Sequence, residues 1–164
     1  TRPLKDLVRE SIFNILDHSI NEFINLKNAK VLDLFSGTGS FGIECLSRGA
    51  GKVVFYENYS KSLEVLKKNI NKLGLSKKTE IFEQDAYNIY QDSDKFDLIF
   101  FDPPFKDNKI NLIISKIKKL NLTNNNTIII IHRNKNLKEK FPDELNILRE
   151  KNYGLSKIIF GKLT

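Results

Sequence analysis

The spacing of apolar residues changes character along the chain. Leu7, Val8, Ile12, Ile15, Leu16 and Ile20 recur, with Ser11, at helical intervals, which predicts an amphipathic helix over 5–25 ahead of everything else. Short runs rich in β-formers then alternate with helical patterns: strands over 30–35, 52–57 and 79–83, with helices over 40–47 and 60–73 between them. A strand over 96–101 is closed by Pro103 and Pro104. A helix over 109–120, a strand over 127–131 and two candidate strands, 145–149 and 156–161, complete the series. The longest polar cluster, 121–127, has the length of one loop between elements. Strand–helix alternation of this kind predicts an α/β fold, a mainly parallel sheet flanked by helices.

Sheets of that type bind ligands beyond the carboxyl ends of their strands, near the point where strand order reverses. The unusual residues fall at four such ends. After the first strand, 31–50 reads VLDLFSGTGSFGIECLSRGA, in which Gly37, Gly39 and Gly42 form G-x-G-x-x-G. Missing side chains there permit a tight turn, close ligand approach and close packing of helix on strand, and point to a nucleotide-like cofactor over a mere strand-to-helix turn. Dinucleotide sites share the pattern. Asp33, a carboxylate four residues before Gly37, argues against a pyrophosphate and suits a cationic cofactor such as S-adenosylmethionine, which carries a sulfonium and an ammonium and no phosphate. Glu57 ends the second strand 20 residues beyond Gly37, the spacing at which a carboxylate receives a ribose diol. Asp85, after the third strand, is placed either for an adenine amino group or as the N-cap of a turn over 86–90.

The fourth end carries the most specific signal, FDLIFFDPPF over 96–105. A base amino group is a poor nucleophile because its lone pair is conjugated with the ring. Acceptors that hold its two hydrogens favour the pyramidal form, in which the lone pair is free. The Asp102 carboxylate and the Pro103 carbonyl are candidates for those acceptors, with Pro103 and Pro104 stiffening the backbone. Phe105 supplies a stacking face for a base withdrawn from its neighbours, worth about 1–3 kcal/mol per base. The competing reading is a rigid turn with a capping Asp.

Composition changes the picture in two respects. With 164 residues, 40% of them hydrophobic, the chain is expected to form one domain, a helical segment over 1–25 and a core over 28–164. Its longest apolar runs fall far short of the ~20 residues of a membrane span. It opens without a secretory pattern and its single cysteine, Cys45, has no internal disulfide partner, so a cytoplasmic protein is expected. The chain begins at Thr1 and contains no Met, so an N-terminal piece is expected to be missing. The net charge of +7 suits a polyanion, and it is lopsided. Residues 1–105 carry 14 Lys and Arg against 15 Asp and Glu, whereas 106–164 carry 13 against 5. The Lys-, Asn- and Ile-rich composition of A+T-rich coding sequence is a second explanation for that basicity. His18, His132 and Cys45 form no ligand-spaced cluster, so no metal is assigned and each is read as structural or incidental.

Together these residues resemble the class I methyltransferases and, within them, the RsmD family of 16S ribosomal RNA guanine-N2 methyltransferases. The resemblance spans nearly the whole chain. It rests on RPLKDLVRESIFNIL, DLFSGTGSFGIECLSRGA, the YEN turn and FDLIFFDPPF in the family's order, and the opening segment separates it from adenine-N6 enzymes that share DPPF. Leu4 stands where members usually have threonine, and the basic hairpin with which members usually begin is expected to be missing. The resemblance implies a Rossmann-like class I fold: a mostly parallel seven-stranded sheet with helices on both faces and an antiparallel C-terminal strand. It implies S-adenosylmethionine held by Asp33, Phe35, Ser36, Gly37, Thr38, Gly39, Phe41 and Gly42, by Glu57 and Asn58, by Asp85 and Ala86, and by Asp102. It further implies a flipped guanine received by Asp102, Pro103, Pro104 and Phe105. Arg2, Arg9 and Lys106 are weaker candidates for RNA contact, Arg9 being equally suited to a salt bridge on its helix. The implied partner is ribosomal RNA or the small-subunit particle, met by a monomer. Three rivals are an adenine-N6 methyltransferase on the same fold, a nicotinamide-dependent oxidoreductase, which leaves DPPF unexplained, and a non-catalytic RNA-binding module, which leaves the glycine loop unexplained.

Overall fold

The alternating pattern resolves into one seven-stranded sheet in a computed structural model that describes residues 6–20, 22–90 and 94–164. Its strands are β1 (Lys30–Leu34), β2 (Lys52–Tyr56), β3 (Thr79–Phe82), β4 (Phe96–Phe101), β5 (Thr123–Asn134), β6 (Leu145–Tyr153) and β7 (Ser156–Leu163). They lie in the order β3-β2-β1-β4-β5-β7-β6. β1 to β5 pair in parallel, and β7 runs antiparallel to both of its neighbours, β5 and β6. The chain winds outward from β1 to β3, then returns to β4 and winds the other way. The strand order therefore reverses between β1 and β4, where their loops open a crevice.

The central strands are apolar without alternation because both faces are covered. On one face, α1 (Asp6–His18), α2 (Ser40–Ser47) and α3 (Ser60–Lys72) pack Phe13, Phe41 and Leu66 over Val31, Phe55, Phe100 and Ile130. On the other, α4 (Ile110–Lys119) buries Ile110, Ile113, Ile114 and Ile117 over Leu32, Ile99 and Ile129. That i, i+3, i+4, i+7 stripe is the amphipathic signature read from sequence. No helix among the described residues is long and apolar enough to cross a membrane.

Three boundaries differ from expectation. The first helix stops at His18 rather than running to residue 25. The Ile20 amide bonds back to the Ile15 carbonyl at 3.1 Å, and the chain then turns so that Ile20, Ile24 and Leu26 enter the core outside a helix. Ile20 falls four residues after Leu16 and so continues the helical spacing past the end of the helix. The polar cluster at 121–127 is not a plain loop but lies largely within β5, as a bulge. Thr123 pairs with Phe96 and Ile128 with Leu98, and the residues between are looped out. Thr127 Oγ1 holds the bulge, donating to the Phe96 carbonyl at 2.6 Å and accepting from the Asn124 amide at 2.8 Å. β6 and β7 outrun their apolar segments because β6 is an edge strand whose Asn146, Arg149, Lys151 and Asn152 face solvent, leaving no alternation to mark its end.

Candidate active site

β1 ends abruptly because Phe35 adopts φ +59°, a conformation unfavourable for a side chain with a Cβ and one that clusters at functional sites. Ser36 secures the turn. Its hydroxyl donates to the Asp33 carbonyl at 2.6 Å, and its amide donates to the Tyr56 carbonyl at 3.0 Å. Gly37 follows at φ +59°, with nothing within 4 Å of where a Cβ would stand, so this part of the loop faces open space. The far end of the loop is packed instead: a Cβ on Gly42 would lie 2.5 Å from the Phe55 ring, where α2 sits on β2. Asn69 of α3 donates to the Thr38 carbonyl at 3.3 Å.

Two carboxylates support this loop, and a third stands at the neighbouring strand end. Asp33 is only 1% exposed. Its Oδ2 accepts the Gly42 amide at 3.1 Å, and its Oδ1 is buried without a partner. Burial pushes the Asp33 pKa well above the ordinary carboxylate range; the Gly42 bond opposes the shift, and the charges of Asp102 and Glu57 add to it. Glu57, 5% exposed, is not the ordinary surface glutamate a strand end might carry. Its Oε1 accepts the Gly37 amide at 2.6 Å, and its Oε2 accepts the Asn58 and Tyr59 amides at 3.0 and 2.9 Å. One side chain thus ties the glycine loop to the start of α3. Asp85 caps the short turn Ala86–Asn88, accepting the Tyr87 amide at 3.0 Å, and Tyr87 packs edge-on against Phe35 with centroids 5.4 Å apart.

At the end of β4, Asp102 Oδ1 lies 2.8 Å from His132 Nδ1, and His132 Nε2 lies 2.8 Å from Ser156 Oγ. The Phe105 and His132 rings meet edge to face with centroids 5.7 Å apart. Arg133, 1% exposed, binds Glu139 through Nε and Nη2 and donates to the Pro104 carbonyl at 3.2 Å and the Asp107 carbonyl at 2.6 Å. It clasps the Asp-Pro-Pro loop to the segment after β5.

The structure therefore brings the glycine loop, Glu57 and Asp102 around Asp33, with Asp85 at the neighbouring strand end. Other expectations fare differently. The Phe41 side chain is spent in the core, stacked on Phe100 at 4.1 Å and on Phe13 at 5.3 Å, so it is no lining group. Cys45 is buried in α2. Arg9 pairs with Asp6 at 3.2 Å on an exposed stretch of α1, its salt-bridge alternative. Lys106 is exposed beside Phe105, Ala86 is buried, and Arg2 lies outside the described residues. His132, read as structural or incidental, contacts Asp102 and Ser156, which favours the structural alternative and sets it beside a candidate catalytic carboxylate. It and Arg133 close the Ile128-to-Ile131 run, a fifth strand end that position alone would have singled out. No group of three or more His, Cys, Asp and Glu among the described residues is arranged to hold a metal ion.

A mostly parallel seven-stranded sheet in this order, with a glycine loop and acidic residues along its carboxyl edge, defines a class I methyltransferase. Comparisons narrow the class. The family model described as Conserved hypothetical protein 95 matches residues 1–162. Ribosomal RNA small subunit methyltransferase D of Haemophilus influenzae is 34% identical over 158 residues, covering 94% of this chain and 79% of that protein. The protein of the same name from Buchnera aphidicola subsp. Baizongia pistaciae is 30% identical over 160 residues, covering 98% and 79%. The solved structure of the Escherichia coli protein yhhF superposes with a TM-score of 0.84 at 25% identity, covering 99% of this chain and 88% of that one. The chain belongs to this family, the one the opening segment and the DPPF loop resemble.

Proposed function

We propose that the protein methylates the exocyclic N2 amino group of a guanine in small-subunit (16S) ribosomal RNA, using S-adenosylmethionine. The observation that carries the reading is Asp102: a partly exposed carboxylate at the mouth of the β1–β4 crevice, beside a glycine loop that faces open space. The donor set fits this cofactor. The loop is held by the carboxyl groups of Asp33 and Glu57, Asp85 stands at the neighbouring strand end, and the buried Asp33 Oδ1 lacks a partner, an acidic arrangement that suits a cation over a pyrophosphate. Glu57, with Asn58 beside it, would hold the ribose, and Asp85 and Ala86 the adenine.

When bound, S-adenosylmethionine supplies an electrophilic methyl carbon whose leaving group departs neutral. The protein's own work is alignment and charge placement. Asp102 and the Pro103 carbonyl accept the two amine hydrogens and direct the lone pair outward. Pro104 is unsuited to that role, its carbonyl being committed to the Asp107 amide at 2.9 Å and to Arg133. Phe105 gives the flipped base a stacking face. The exposed lysines nearby, Lys106 on this loop and Lys135, Lys138 and Lys140 on the segment Arg133 clasps to it, meet RNA phosphates.

The test is tritiated methyl transfer to small-subunit RNA or particles from cells lacking the modification, with digestion to nucleosides. N2-methylguanosine is expected; N6-methyladenosine would sink the guanine assignment and keep the fold. Asp102→Ala should lose about 10²–10³ in rate with cofactor affinity nearly intact, and an undiminished rate would refute the mechanism.

A further inference from the structure

His132 closes a run of four isoleucines on a buried strand, where a polar residue is costly unless its hydrogen bonds are met. The parallel register of β4 and β5 pairs Phe101 with Ile131, so the next residues, Asp102 and His132, stand side by side on one face of the sheet. Ser156 joins them from β7, whose antiparallel register pairs it with Asn134. An ionised carboxylate only accepts, so the 2.8 Å contact requires His132 Nδ1 to carry a hydrogen and donate it. With one hydrogen on the ring, carried by Nδ1, Nε2 is an acceptor and the Ser156 hydroxyl is its donor. The chain Ser156 to His132 to Asp102 thereby selects one tautomer and one ring orientation, and Phe105 packs against the ring.

We propose that His132 is a positioning residue for Asp102: its Nδ1–H occupies Oδ1, fixes the plane of the carboxyl group and leaves Oδ2 as the acceptor turned to the substrate amine, with Ser156 holding the histidine in place. The need for such a hold is visible in the site. The charges of Asp102 and Glu57 both act on Asp33 in the same crevice, and crowding of carboxyl groups favours an Asp102 side chain turned away from its neighbours. One N–H donated to Oδ1 opposes that turning. The proposal rests on the methyl-transfer reading given above.

Two substitutions separate positioning from mere packing. His132→Asn keeps an N–H near the Nδ1 position and gives up Ser156; His132→Gln reaches towards Ser156 and gives up Asp102. His132→Gln is expected to lower kcat on the order of 10²-fold, the typical effect of a small misplacement of a catalytic group, and His132→Asn only a few-fold. KM for RNA and cofactor affinity stay as in the wild type. In an Asp102→Ala background, His132→Gln should cause no additional loss, since its effect passes through that carboxylate. Equal losses in the two single variants, or a loss that persists without Asp102, overturn the proposal. Nitrogen-15 NMR of the imidazoles reads the contact without turnover: the Nδ1–H tautomer is expected for His132 and should be lost in Asp102→Ala. An Nε2–H tautomer in the wild type overturns the proposal directly. A wild type that transfers no methyl group sinks the function reading instead, and the tautomer still decides the contact.

Discussion

Replacing Glu57 by Ala tests the loop and the cofactor site together, and the structure sets the scale of each effect. The carboxylate accepts three backbone amides at 2.6, 3.0 and 2.9 Å. Asn58 and Tyr59 are exposed, so their amides rehydrate once the side chain is gone, whereas the Gly37 bond is lost with its loop geometry. One charge-assisted bond at full value is about 1.5–3 kcal/mol, and losing a negative charge at the start of α3 adds about 0.3–1 kcal/mol. The sum, roughly 2–4 kcal/mol, corresponds to a melting temperature lower by roughly 5–15 °C in a domain of this size. Affinity for S-adenosylmethionine should fall by a further ~1.5–3 kcal/mol, about 10- to 100-fold, through the missing ribose acceptor. Thermal melting and isothermal titration measure the two effects separately. Glu57→Gln should fall between wild type and Glu57→Ala, because one of its two positions then presents an NH₂ group to a backbone donor. A variant that melts lower but binds normally would leave Glu57 as a loop support only. One that changes neither quantity would refute the whole account of this residue.

Asp33 gives a pH prediction. Its folded pKa is raised by burial, so its contribution to stability is fully present below the unfolded carboxylate pKa and is lost as pH rises through the raised value. Asp33→Asn should therefore gain stability relative to wild type as pH rises, while binding S-adenosylmethionine more weakly; melting curves across pH that stay parallel would remove the argument. Arg133→Met should destabilise by about 3–5 kcal/mol, since Glu139 is left as a largely buried unpaired charge, and adding Glu139→Gln should recover part of the loss in the same melting assay. RNA binding should weaken steeply with salt, and Lys106→Ala should reduce the slope of log affinity against log salt by about one; a flat dependence would detach the basic surface from RNA.

What was legible in the sequence is what is local in the chain. The glycine loop, Glu57, Asp85 and Asp102 to Phe105 each follow a strand that declares itself by composition, and the carboxyl-edge rule gathers residues that are far apart in sequence. Whatever depends on register was not legible. His132 and Asp102 are 30 residues apart and meet only because Phe101 pairs with Ile131, a register that hydrophobic pattern alone leaves open in strands apolar on both faces. Arg133 escaped for a related reason: a cation in the basic half of the chain reads as surface charge, yet Glu139 and two carbonyls hold it at 1% exposure. Phe41 was misplaced in the other direction, its neighbours in the glycine motif suggesting a lining role while its ring faces the core. These cases share a cause. A motif identifies the residues that carry chemistry, but it does not identify the residues that aim them. Asp33, Glu57, His132 and Arg133 spend their hydrogen bonds on backbone amides, on Asp102 and on the 104–107 loop, so the geometry of the crevice depends on buried polar contacts whose partners only the folded sheet brings within reach.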